Sequence, residues 1–265
     1  MKETIELLSP LYKKGSDEWQ DVTISLFTSL HTTGESILSL LYHGTGIWDA
    51  DILLRTVMEG TIKYCFLISG NDEQRKLNYE EYKIHLTEIQ KISDHNKAKR
   101  SISILKEFST NSTKTIELSL LSRQELDNLN EKYPKEYQRK INRKWSYQYL
   151  LKDMASKNKE YESQLASLYA YSFSSHLIHY DWTGLSMRQQ QISSSYFEAE
   201  KNGELNLGHA VRIISNLLVL YSYRVSEYCQ CYEISSKDIA ELTLALLDYA
   251  SELIEVGNEI INKYV

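Results

Sequence analysis

The sequence predicts an all-α fold, a single helical bundle, from three observations. Only two prolines, Pro10 and Pro134, interrupt 265 residues, so the residue that removes a backbone donor and blocks helix interiors is nearly missing. The ten glycines are few for a chain rich in tight turns. Apolar residues recur at intervals of three and four, the period of a helix with one buried face, and sustained period-2 alternation is missing. A chain of this length buries about three quarters of its unfolded surface, enough for a core without staples.

The elements follow in order. Pro10 starts or kinks a short first helix, and Ser16 and Asp17 offer N-caps after Gly15. From Trp19, residues Val22, Leu26, Leu30, Ile37 and Leu41 form a core-facing stripe that Gly44 and Gly46 close. Asp49 or Asp51 opens a second helix with Ile52, Leu53, Val57, Ile62, Phe66 and Leu67 on its buried side. A long polar helix runs from Glu73 to about Phe108, with a thin stripe of Leu77, Ile84, Ile89 and Ile92 that suits the outside of a bundle. The polar stretch 109–113 reads as a loop, and Ile116 to Tyr133 as a helix stopped by Pro134. Ser146 caps a helix to Ala155. Glu160 to Tyr180 forms the next, with Leu165, Leu168, Tyr169, Ser172 and His176 on one stripe. Ser193 to Phe197 is a modest strand candidate, with a turn at Gly203. Helices from His209 to Tyr232 and from Ser235 or Ser236 to Tyr264 complete the chain. The last carries Ile239, Leu242, Leu246, Ala250 and Ile254. With no internal repeat and no linker rich in proline or glycine, residues 1–265 read as one domain: N-terminal helices 1–46, a core 47–182 and C-terminal helices 183–265.

A net charge of −6 and a pI near 5.7 argue against a strongly basic, DNA-coating protein. Cys65, Cys229 and Cys231 lack the spacing of a disulfide framework, which fits a reduced, cytoplasmic setting. The N-terminus has no long apolar h-region, and no run approaches the roughly 18 apolar residues of a membrane span.

Four groupings carry chemistry. Arg55 and Glu59 lie four apart and share a helix face; the bland reading is an ordinary i,i+4 ion pair. His176 and His179 lie three apart near a helix C-terminus, with Ser175 four before His179 and Asp181 just beyond. A histidine there suits general acid–base work or anion stabilisation; the bland reading is a pair of capping or core histidines. No third ligand completes a metal site, so neither a metal nor another cofactor is expected. Lys132 to Trp145 interleaves cations with aromatics, as single-strand RNA binding needs, but most charge runs are solvated faces. Cys229 and Cys231, two apart, point to different sides of a helix and carry little.

The order of these pieces resembles a bacterial family of uncharacterised helical proteins. Arg55-Thr56-Val57-Met58-Glu59 looks like its Arg-x-x-x-Glu helix, Arg143-Lys144-Trp145-Ser146 its tryptophan segment, and Ser175 to His179 its Ser-x-x-x-His helix. That family is similar to the HEPN superfamily of helical bundles, whose members commonly dimerise and often cleave RNA without a metal. The resemblance implies a HEPN-like bundle with a long outer helix, a homodimer, and a toxin or antiviral role. Arg55 would bind phosphate, Glu59 would orient Arg55, and His179, or else His176, would move the proton. Lys140, Arg143, Lys144 and Trp145 would guide the RNA. The chain departs from the HEPN pattern in one respect: no arginine precedes either histidine by four to six residues, so Arg55 must supply the cation from another helix. The rival reading is a non-catalytic interaction or nucleotide-binding module in which these side chains form a buried polar network.

Overall fold

The computed structural model describes residues 18–43, 46–107, 113–192 and 196–263. Every element among them is helical. Pro10, Ser16, Asp17, Gly44 and residues 109–112 of the expected loop lie outside the described residues. No helix among those described is long and apolar enough to cross a membrane. The chain divides into two compact units, one of residues 1–69 and 151–265, the other of residues 70–150. The boundaries between the units follow residues 69 and 150. One falls in the turn at Gly70, whose φ of +82 suits a residue without Cβ, and the other inside a helix, so no composition change marks them.

In the first unit, α1 (Glu18–Tyr42) buries Trp19, Thr23, Phe27, Leu30, Gly34 and Ile37. Trp19, Leu30 and Ile37 are buried as expected, but Thr23 and Phe27 are buried where Val22 and Leu26 were expected, and Val22, Leu26 and Leu41 are half-buried. Helix α2 (Ile47–Ile68) is buried almost all round, from Leu54, Val57 and Met58 to the run Tyr64–Ile68. A helix apolar on every side belongs in the centre, and α2 does pack against α1 and two later helices. Ile52 and Leu53, expected in the core, are half-buried. At Gly60 a Cβ would stand 2.4 Å from Leu30 Cδ2, so the missing side chain lets α1 close on α2.

In the second unit, α3 (Asp72–Tyr79) runs through a π-helical stretch (Glu80–His85) into α4 (Leu86–Glu107). Together they are the expected long polar helix. The short helices α5 (Lys114–Glu117), α6 (Arg123–Lys132) and α7 (Lys135–Lys144) follow, and Glu81, His85 and Glu88 meet α6, α7 and the residue after each. Glu81 accepts from Trp145 Nε1 at 3.0 Å and pairs with Lys144 at 2.5 Å. His85 Nδ1 meets the Tyr137 hydroxyl at 2.7 Å, and Glu88 accepts from Tyr133 at 2.5 Å and Lys132 at 2.7 Å. The expected single helix from Ile116 to Tyr133 is broken at 118–122. Leu121 N donates to His95 Nδ1, and Ser122 and Glu125 form a reciprocal capping box that starts α6 afresh.

Helix α8 (Tyr147–Lys157) spans the boundary at Leu151. The expected helix from Glu160 starts as a 3₁₀ stretch (Lys159–Ala166) before α9 (Ser167–His179). Its buried positions are Ser174 and Leu177, while Tyr169 and Ser172 face out. Helix α10 (Trp182–Ile192) follows a tight corner in which Tyr180 takes the left-handed conformation, φ 49. The strand candidate is not realised where it is described: Tyr196 and Phe197 open α11 (Tyr196–Cys231), which also runs straight through Gly203. Residues 193–195 lie outside the described set. Helix α12 (Lys237–Asn262), capped by Ser236 through Ile239 N, packs along α11. Ile254, expected in its stripe, is exposed, and Ala250 and Ile260 are buried.

Candidate functional site

The N-terminal half of α2 and the corner between α9 and α10 gather the polar groups of the first unit. Helices α2 and α9 run antiparallel, because Asp51 meets Ser174 whereas Arg55 and Glu59 meet Tyr171. Arg55 stacks on the Tyr171 ring, 4.0 Å from its centroid, and its Nη1 is buried without a hydrogen-bond partner. Glu59 binds Lys63 at 2.5 Å and accepts from the Tyr171 hydroxyl at 2.9 Å. Burial pushes the Glu59 carboxyl up, but the hydrogen bond and charge of Lys63, with Tyr171, outweigh it and hold the group below its usual range. Glu59 is thus committed chiefly to Lys63 and Tyr171, not to orienting Arg55.

One turn earlier on α2, Asp51 is only 2% exposed. It accepts from Ser174 Oγ at 2.9 Å and forms an ion pair with Arg212 of α11. Its neighbour Asp49 pairs with Arg188 of α10 at 2.8 Å. Arg188 also lies over the Tyr180 ring at 5.1 Å and keeps a buried Nε without a partner. Trp48 stacks edge-on against His209, centroids 4.9 Å apart, and its Nε1 is likewise unpaired.

At the corner, His176 Nδ1 sits 2.5 Å from Asp181 Oδ2, both side chains nearly half exposed. The hydrogen bond from His176 and the Gly184 N–H hold the Asp181 carboxyl below its ordinary range. A Cβ on Gly184 would come within 2.3 Å of the His176 carbonyl oxygen, so only glycine allows this approach. His179 is exposed, Ser175 is half-buried, and no hydrogen bond joins them. His179 lies eight residues past Tyr171, about 12 Å further along the α9 axis. It therefore lies two turns from the level of Arg55, and the expected pairing of Arg55 with His179 is not made.

The basic–aromatic stretch behaves differently from its expectation. Trp145 is only 3% exposed and Tyr133 2%, so neither offers a ring for a base to stack on, and Lys144 is tied to Glu81. Lys140 and Arg143 remain exposed on α7. Among the described residues no three His, Cys, Asp or Glu side chains converge as a metal site.

Sequence reasoning missed Asp51 as anything but a helix start, and missed Arg188, Arg212 and His209 altogether. These residues come from separate helices, so no spacing rule links them. The usable signal was a carboxylate among apolar residues in α2, because a buried carboxylate demands a cation.

Burial lowers the pKa of His209, and the charge of Arg212 adds to this against the opposing pull of Asp51. Burial also lowers that of His31, which Arg224 reinforces and Glu35 opposes. As pH falls below the ordinary value of 6.5, the unfolded chain takes up protons that the native chain refuses, so stability must fall. Chemical denaturation at pH 7 and pH 5 checks this. The loss is expected to shrink in His209→Gln and again in the double variant with His31→Gln.

No curated protein and no solved structure matches the chain at a significant level. Residues 20–195, which carry α1 to α10 and the whole polar cluster except His209 and Arg212, match the model of a family of unknown function, DUF5677, and the chain belongs to that family.

Proposed function

We propose that the chain cleaves RNA by acid–base chemistry at the α9–α10 corner, in the toxin or antiviral setting that the HEPN resemblance implies. The observation that carries this reading is the His176–Asp181 pair. A carboxylate on one ring nitrogen fixes the tautomer and orients the ring, and a half-exposed imidazole then has its other nitrogen open to solvent. In this reading His176 Nε2 takes the proton of a ribose 2′-hydroxyl. The 2′-oxygen forms a bond to phosphorus, the bond to the 5′-oxygen breaks, and that oxygen takes a proton from solvent. Arg188, on the same corner, meets the charge on the phosphorane. The unpaired donors Trp48 Nε1, Arg55 Nη1 and Arg188 Nε support an acceptor-rich ligand, since orphan buried donors are costly.

The test is incubation of the full chain with structured RNA in EDTA. Cleavage is expected to persist, to fall about 10²–10⁴-fold in His176→Ala, and to be unchanged in His179→Ala. Equal activity in wild type and His176→Ala would overturn the assignment. A second reading, a non-catalytic interaction module, is favoured by one observation: Asp51 and Glu59 already have partners within the fold. Absence of cleavage by the wild-type chain would select it.

A further inference from the structure

The turn between α11 and α12 borders a cavity built from the C-terminal end of α11, the N-terminal end of α12 and Glu160 of the 3₁₀ stretch. It offers about 830 Å³, within the range of roughly 300–1,000 Å³ found for pockets that hold small organic molecules. Val225, Ile239 and Leu244 supply apolar wall. Leu244 is 60% exposed, apolar surface left in water at the edge of the site.

The charges of the lining are one-sided. It contains two carboxylates, Glu160 and Glu233, and no lysine, arginine or histidine. Glu233 stands at φ 52, in the left-handed region, and its N–H donates to the Gln230 carbonyl at 3.3 Å. The α12 N-terminus does not turn the site toward anions, because Ser236 caps it and Asp238 occupies its first turn. An apolar chamber with acidic groups and no cation suits a ligand with an apolar body and a positive head.

We propose that the α11–α12 cavity binds an amphipathic amine, its hydrocarbon body against Val225, Ile239 and Leu244 and its ammonium at Glu233. Cys229 lines the same cavity and reports on it, whereas Cys65 is buried. The experiment uses the full chain carrying Cys231→Ser, with octylamine, octanol and octanoate as probes. Two quantities are read: the rate at which maleimide labels Cys229, and the thermal midpoint. Octylamine is expected to slow labelling and raise the midpoint, and octanoate to do neither, because like charges repel. Glu233→Gln is expected to weaken octylamine about tenfold, the worth of one charge-assisted contact, and to leave octanol unchanged. Ala240→Trp, which fills the chamber, is expected to abolish protection by both. Equal protection by octylamine and octanoate overturns the charge assignment, and no protection by any probe overturns the site. Glu233 lies in a turn, so its variant keeps the test open where Ala240→Trp fails to fold.

Discussion

Replacing Asp51 with alanine is expected to cost the first unit about 3 kcal/mol, at the lower end of what breaking a buried ion pair costs. Asp51 is almost fully buried and bonds to two helices at once, α9 through Ser174 and α11 through Arg212. Truncation leaves Ser174 with only its bond to the Ala170 carbonyl, and leaves Arg212 facing a pocket without an anion. The Arg212 side chain keeps 29% exposure, so it recovers part of its hydration, which sets the estimate at the lower end. Asp51→Asn keeps an acceptor for Ser174 and is expected to lose less. A double-mutant cycle with Arg212→Met isolates the pair, because removing both charges together leaves neither stranded. Urea unfolding reads all four proteins, with a lower midpoint and an unchanged slope. A loss under about 1 kcal/mol for Asp51→Ala would show that the pair is held in water, not in the core. The same variant tests the corner chemistry, since Asp51 fixes α9 against α2 at Ser174, two residues before His176.

How far these groups were legible depends on whether they shared a helix. Periodicity found nearly every helix, because burying one face leaves a trace every three or four residues. In α1 it placed Trp19, Leu30 and Ile37 correctly but chose Val22 and Leu26 over Thr23 and Phe27, because small residues such as Thr23 and Gly34 also pack. It joined 116–133 into one helix because nothing in the local pattern announced that His95 would hold Leu121 out of it. Within the site, His176, His179 and Asp181 were visible as a group in sequence, but Asp181 suited His179, and only the corner places it on His176. Arg55 and Glu59 were visible too, yet their common partner Tyr171 lies more than a hundred residues away. The aromatics of the basic stretch misled for a related reason. Trp145 and Tyr133 look like stacking platforms until Glu81 and Glu88, from a distant helix, are seen to draw their polar atoms inward. Long-range pairing is set by topology, and local spacing does not encode it.

Arg224→Met is expected to stabilise the chain, by about 1–4 kcal/mol, the gain seen when buried ionic groups give way to apolar residues of similar volume. Arg224 is fully buried between α1, α2 and α11, yet no carboxylate pairs with it among the described residues. Its Nη1 donates to Thr61 Oγ1 at 2.7 Å, and its Nε and Nη2 have no partner. The Phe27 and Tyr221 rings, 5.7 and 5.2 Å from the guanidinium carbon, give back some of the lost hydration. They do not give back all of it: burial pushes the Arg224 pKa down to about 10. The group still carries its charge at neutral pH, so the native state bears the part of the desolvation cost that the rings and Thr61 do not offset. Methionine keeps the apolar stem against Phe27 and Tyr221 and removes both orphan donors, while the Thr61 hydroxyl can turn to a carbonyl one turn back in α2. Arg224→Ala separates volume from charge, because it removes the same cation but leaves a cavity, and it is expected to destabilise. Thermal and urea unfolding of the two variants decide the matter. A loss of stability in both would mean that the two rings and Thr61 compensate the guanidinium fully. A gain in Met alone would mark Arg224 as a residue that costs stability where it stands, with the three-helix register as the feature left to account for its presence. The change also removes a positive charge beside His31, so the acid-side loss of stability is expected to become shallower in Arg224→Met, an effect that packing alone does not produce.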